Sequence, residues 1–172
     1  MKNSLRYIAF VTVLLVSSFQ LQAQKYGHTN FGNVLSIMPE TKTSDAALET
    51  FQNDLATQIR GKQDTLRAKF NAYQAQLQGG NVTPEQQQAM EKELSDGDQA
   101  LQKFVAEADQ KVAAKRQELL SPVVEKAQKA VEEVAKENGY QLIFDTSVFN
   151  SVLMADESID ITEQVLKKLG IN

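Results

Sequence analysis

The chain has 172 residues, no cysteine, one histidine, no tryptophan and three prolines, with a formal charge of −4. The absence of cysteine excludes disulfides, thiolate metal sites and thiol catalysis, and His28 alone cannot build a histidine-rich metal site or a two-histidine relay. The acidic balance argues against nucleic acid as a partner, because phosphate binding needs a basic surface.

The first 23 residues read as a targeting segment. Lys2 and Arg6 give a positive start, and Ile8 to Val16 is apolar. That run is too short for a bilayer, which needs about 20 residues. A polar stretch ending in the small residue Ala23 places cleavage after it, although Leu21 stands where a small residue is usual. With no cysteine after the apolar run, lipoprotein anchoring is excluded, so the chain is expected to be exported and then soluble. Without these residues 16 basic side chains face 22 acidic ones, a net charge of −6.

Lys25 to Asn30 predicts a short strand, with Tyr26 and His28 on one face and Gly27 and Thr29 on the other. His28 is read as structural. Phe31 to Met38 predicts a short helical turn, and Pro39 either stops it or opens the next helix.

Ser44 to Leu120 predicts a helical hairpin, with Ser44 as N-cap and Asp45 in the first turn. Leu48, Phe51, Leu55, Ile59, Lys62, Leu66, Phe70, Tyr73 and Leu77 recur in steps of three and four that close every eleven residues. Eleven residues over three turns is about 3.67 per turn, which predicts a nearly straight or weakly right-handed pair. Lys62, the one polar member, can lay its stem along the seam with its amine in water.

Gly79-Gly80 supplies positive φ for the reversal, and Thr83, Pro84 and Gln86 form a capping box with proline at the first helical position. The return helix carries Met90, Leu94, Leu101, Phe104, Val105, Ala108, Val112, Leu119 and Leu120, a weaker seam in which Gly97 is read as a bend. At about 1.5 Å per residue the two helices have similar lengths, roughly 50 and 55 Å. Ser121-Pro122 is expected to interrupt the return helix, which resumes with a wider apolar face and stops at Gly139. Gln141–Asp145 and Ser151–Ala155 predict two strands, and Asp160-Ile-Thr-Glu163 a capping box opening a last helix over Thr162–Leu169. Short apolar strands cannot bury both faces in a monomer and leave open edges. Strands from several chains closing a small barrel would solve both problems.

In this order of parts the chain resembles the Skp/OmpH family of periplasmic chaperones. The resemblance covers about Lys25 to Leu169. It rests on Val134-Ala-Lys-Glu-Asn-Gly-Tyr-Gln-Leu-Ile-Phe-Asp145, Asp160-Ile-Thr-Glu-Gln-Val-Leu-Lys-Lys-Leu169, Val34-Leu-Ser-Ile-Met-Pro39 and Leu119-Leu-Ser-Pro-Val-Val124. It implies a mostly α, α+β fold: a long antiparallel hairpin arm on a small β body that trimerisation completes into a β-barrel. The parts would be a signal peptide (1–23), a body for trimerisation (24–43 and 121–172) and an arm (44–120). The implied function is that of an ATP-independent holdase for unfolded outer-membrane proteins in the periplasm, a homotrimer with no enzymatic activity, cofactor or metal.

Candidate client contacts are Phe70, Tyr73, Met90 and Phe104, although packing the two arm helices together is the commoner role for each taken alone. Candidate trimer-body residues are Leu142, Ile143, Phe144, Val152 and Leu153. One departure concerns charge: Arg60 to Asp109 carries six basic and eight acidic residues. A net −2 weighs against lipopolysaccharide binding, contact with membrane lipid and strong electrostatic client capture. The alternative reading is a coiled-coil adaptor or spacer of the cell envelope, which would leave a continuous apolar stripe exposed after the hairpin forms. Prefoldin also has a β body with helical arms, but it is cytosolic. The acid pairs Asp145/Asp156 and Asp156/Asp160 are read as turn and cap residues rather than catalytic carboxylates.

Overall fold

The structure, a computed structural model, describes residues 24–80 and 82–171. The expected targeting segment and its cleavage after Ala23 lie outside the described residues, as does Asn81 of the reversal. The elements are β1 (Lys25–Thr29), α1 (Phe31–Ile37), α2 (Pro39–Gln78), α3 (Pro84–Asn138), β2 (Tyr140–Asp145), a 3₁₀ turn (Glu157–Ile159) and α4 (Thr162–Lys168). They form two compact units, Leu35–Ala127 and a second made of the chain up to Val34 together with Gln128–Asn172.

In the first unit α2 and α3 pair antiparallel. Ser44 meets Leu119, Lys62 meets Phe104, Lys69 meets Glu93 and Tyr73 meets Glu91, so each step outward along α2 is matched by a step back along α3. The helix α2 begins at Pro39, not at Ser44: Met38 is the N-cap and the proline takes the first helical position, where its missing N–H costs nothing. Ser44 is buried inside the helix, and its hydroxyl bonds across to Leu119.

The eleven-residue rows behave as those of a straight helix. Eleven residues at 3.6 per turn over-rotate three full turns by about 20°. The row Leu48, Ile59, Phe70 therefore walks out of the seam, from buried to half-buried to 48% exposed. The row Phe51, Lys62, Tyr73 runs from half-buried Phe51 through exposed Lys62 to Tyr73, only 7% exposed.

The reversal uses Gly80 at φ 69°, while Gly79 stays right-handed at −71°. The capping box forms: the Thr83 N–H donates to Gln86 Oε1 at 2.9 Å, and the Gln86 N–H donates to the Thr83 hydroxyl at 3.3 Å.

The return seam is the thinner of the two: Ala108 is its one buried position before Val123 among the described residues, against Leu48, Leu55 and Tyr73 on α2. Among its buried and half-buried positions, Gly97, Leu101, Phe104, Ala108, Val112, Lys115, Leu119 and Val123 follow the same eleven-residue spacing. Gly97 is the member of this row that a hydrophobicity count passes over. It marks a close approach within a continuous α3: a Cβ there would lie 2.9 Å from Leu66 Cδ1. Pro122 does not interrupt α3 either. Val123 and Ala127 beside it are buried, and packing of that face holds the helix against a proline penalty of about 3 kcal/mol.

In the second unit β1 and β2 pair in parallel, with Tyr26 opposite Leu142, Gly27 opposite Ile143, His28 opposite Phe144 and Thr29 opposite Asp145. The other edge of β1 is held by Ile161, whose N–H donates to the His28 carbonyl at 2.9 Å. Val34, Thr29, Ile161 and Val165 are buried here, with Ala130 and Val134 from α3. Lys168 on α4 pairs with Glu133 and Glu137, and these two carboxylates hold its ammonium pKa above the usual lysine value. The N-cap of α4 is Ile161; Asp160 accepts instead from the Thr162 N–H at 2.7 Å, two residues on rather than three. The expected strand Ser151–Ala155 is absent. The chain turns there, with Asn150 at φ 59° and the Ser151 hydroxyl bonded to the Asp145 and Val148 carbonyls. A strand needs a partner ladder, and no strand beyond β1 pairs with β2 among the described residues.

Candidate functional site

The carboxylates near the strand ends serve the backbone. Asp145 Oδ1 accepts from the Phe31 N–H at 3.2 Å and the Ser147 N–H at 2.8 Å. Burial opposes its ionisation, but the hydrogen bonds from Ser147 and Phe31 outweigh this and hold its carboxyl below the usual value. Asp156 caps the 3₁₀ turn through the Ser158 N–H at 2.8 Å, and bonds from the Ser158 hydroxyl and N–H lower its pKa likewise. His28 is buried, its Nε2 3.0 Å from the Asp156 carbonyl oxygen. It ties β1 to the segment before α4, which is the structural role expected. No group of three or more potential metal ligands occurs among the described residues.

The surfaces open to a partner are apolar. In the second unit Leu142 and Phe144 on β2 are exposed and Ile143 is half-buried. After β2, Phe149 and Leu153 are 90% exposed and Met154 84%, while Val152 is half-buried. Side chains of this size left in water mark an interaction surface. Phe149 and Met154 escaped the sequence reading because the first fell in the predicted connection and the second was treated only as part of a strand. Sequence-based reasoning could have found them as large apolar residues in a turn-forming stretch.

On the hairpin the four expected contact residues separate. Phe70 is 48% exposed and lines a groove of about 390 Å³ with Leu66, Leu94 and Leu101. Tyr73 is buried in the seam; burial, then the Glu91 carboxylate, pushes its phenol above the usual tyrosine value. It packs the two helices together and offers no free surface. Met90 is half-buried and lines a depression of about 490 Å³ at the reversal with Val82 and Ala89. Phe104 is half-buried, with Lys62 Nζ 4.8 Å and Lys111 Nζ 5.6 Å from its ring centre. These cation–π contacts occupy its face, and Lys62 reaches it along the seam as its stem allows.

On the other flank of the hairpin a groove of about 640 Å³ is lined by Leu66, Leu101, Gly61, Thr65, Gly97 and Ala100. Lys62, Lys69 and Glu93 stand at its rim. The large apolar side chains exposed on the described hairpin, Phe70, Leu77 and Val105, are scattered rather than arranged in a stripe. No described helix is long and apolar enough to cross a membrane.

A protein-family model described as "Outer membrane protein (OmpH-like)" matches residues 25–169. Chaperone protein Skp of Yersinia enterocolitica is 26% identical over 161 residues, covering 94% of this chain and 95% of that one. A crystal structure of a putative outer membrane chaperone (OmpH-like) from Caulobacter crescentus superposes with a TM-score of 0.71, at 18% identity. It covers 85% of this chain and 83% of the other, and at that identity the likeness is one of fold.

Proposed function

This chain belongs to the OmpH-like outer membrane protein family, and on that premise we propose that it is an ATP-independent periplasmic holdase. It binds unfolded outer-membrane proteins and prevents their aggregation, without enzymatic chemistry. One observation carries the reading: the apolar surface of the hairpin lies in open, shallow grooves around Leu66, Phe70 and Leu101, not in an enclosed pocket. An unfolded β-barrel precursor exposes many apolar side chains, each gaining about 25 cal/mol per Å² removed from water. Shallow grooves suit weak, repeated contacts of that kind. Phe70, Met90 and the free edge of Phe104 are the client contacts in this reading, on the arm assigned to residues 44–120.

The body, residues 24–43 and 121–172, is incomplete in one chain. Copies associate through β2 and the segment after it, with Leu142, Ile143, Phe144, Val152 and Leu153 at the contact, and three copies close a barrel. Pairing would supply the ladder that Ser151–Ala155 lacks, so that stretch becomes a strand on assembly. The segment 1–23 is removed on export. The absence of a continuous exposed stripe on the described hairpin disfavours an adaptor for one folded partner.

The test is dilution of a urea-unfolded outer-membrane barrel protein into the purified protein without nucleotide. Suppressed light scattering at molar excess is expected; no suppression overturns the holdase reading.

A further inference from the structure

The groove at Gly61 has a feature the hairpin itself does not use. Gly61 lies in the interior of α2, where glycine destabilises a helix relative to alanine. Its backbone is helical, and a Cβ added there would meet nothing within 4 Å. Gly97 across the groove is different, since Leu66 fills the space a side chain would take. The missing side chain of Gly61 therefore serves neither backbone geometry nor packing within the chain. It leaves open the 640 Å³ groove over Leu66 and Leu101, a size that accommodates side chains from a ligand.

Charge identifies what fits. Lys62 has no carboxylate partner among the described residues and stands over Phe104 at the groove rim, while Lys69 is paired with Glu93. Two ammonium groups thus face one carboxylate, on a stretch of arm that is acidic as a whole. The groove on the opposite flank has no such surplus, since Arg67 at its rim pairs with Asp64 and stands with Asp98.

We propose that the Gly61 groove receives an extended segment of unfolded polypeptide in which an apolar side chain is flanked by a carboxylate. The apolar group lies over Leu66 and Leu101 beside Gly61, and the carboxylate pairs with Lys62. This rests on the holdase reading and adds a preferred client chemistry that the acidic arm does not suggest.

Fluorescence anisotropy with two labelled unstructured peptides tests it, the same apolar residues being flanked by aspartate in one and by lysine in the other. At low salt the aspartate peptide is expected to bind wild type about threefold to fivefold more tightly. Gly61→Leu fills the groove and is expected to weaken both peptides about tenfold or more, with circular dichroism showing an intact helix. Lys62→Gln is expected to abolish the preference and Lys62→Glu to reverse it, which holds the test open if Gly61→Leu fails to fold. Unchanged binding by folded Gly61→Leu, or a preference that survives Lys62→Gln, overturns the proposal. If wild type suppresses aggregation in either of those cases, the groove falls and the holdase reading stands. If wild type does not suppress aggregation at all, the reading beneath falls with it.

Discussion

The hydroxyl of Ser44 donates to the carbonyl oxygen of Leu119 at 3.2 Å, joining α2 to α3 three residues before Pro122. Pro122 has no N–H to offer the Glu118 carbonyl, so the α3 ladder is weakest at this step. A bond from the facing helix supports the next carbonyl along. Ser44→Ala is expected to lower stability by about 1 kcal/mol. In a Pro122→Ala background, where the ladder is whole, the loss is expected to be smaller. Urea midpoints of the four proteins in this cycle check it; equal losses in both backgrounds would remove the link to the proline.

The two helical glycines of the mid-hairpin are expected to respond in opposite directions. Gly61→Ala gains helix propensity and is expected to stabilise by up to about 1 kcal/mol. Gly97→Val pushes a branched side chain against Leu66 and is expected to destabilise by about 1–3 kcal/mol. Thermal melts followed by circular dichroism distinguish them, and stabilisation by both would contradict the close approach at Gly97.

Phe70 and Tyr73 lie one turn apart but should separate function from stability. Tyr73→Ala removes a buried ring and is expected to cost about 3 kcal/mol or more. Phe70→Ser alters a half-exposed site and is expected to cost under about 1 kcal/mol while weakening suppression of client aggregation. Paired urea melts and aggregation assays check this. Full suppression by Phe70→Ser would take Phe70 out of the contact surface.

Asp145 predicts a sensitivity to acid. Its folded pKa is lowered, so its carboxylate stabilises the Phe31 and Ser147 turn at pH values above the ordinary aspartate range. That contribution is lost as pH falls below about 4. Hydrogen exchange at the Phe31 and Ser147 amides, corrected for intrinsic rates, is expected to accelerate there in wild type. In Asp145→Ala, which has no acceptor oxygen, it is expected to be fast at every pH. Equal protection in the two proteins at neutral pH would contradict the assignment.

Much of the fold was legible because its signals are local. The capping box at Thr83 and Gln86, the row from Leu48 to Leu77 and the stop at Gly139 each depend on residues close in sequence. The misses arose where tertiary contacts override local preference. Ser44 resembles an N-cap, yet Pro39 starts the helix earlier and leaves Ser44 to bond across the hairpin. Pro122 should break a helix, but the buried face at Val123 and Ala127 keeps α3 continuous. Gly97 belongs to the return seam, but glycine carries no hydrophobic signal. At the candidate site, sequence alone could not divide Phe70 from Tyr73, because only the drift of a straight helix puts one outside the seam and the other within it. The apolar character of Ser151–Ala155 was visible, but its strand has no partner within a single chain.

In the proposed assembly the body of one chain is unfinished, with Phe149, Leu153 and Met154 left in water for other copies to cover. Size-exclusion chromatography with multi-angle light scattering on residues 24–172 decides it. The expected result is a particle of three chains for wild type and dissociation for Leu153→Asp. A stable wild-type monomer at micromolar concentration would contradict it.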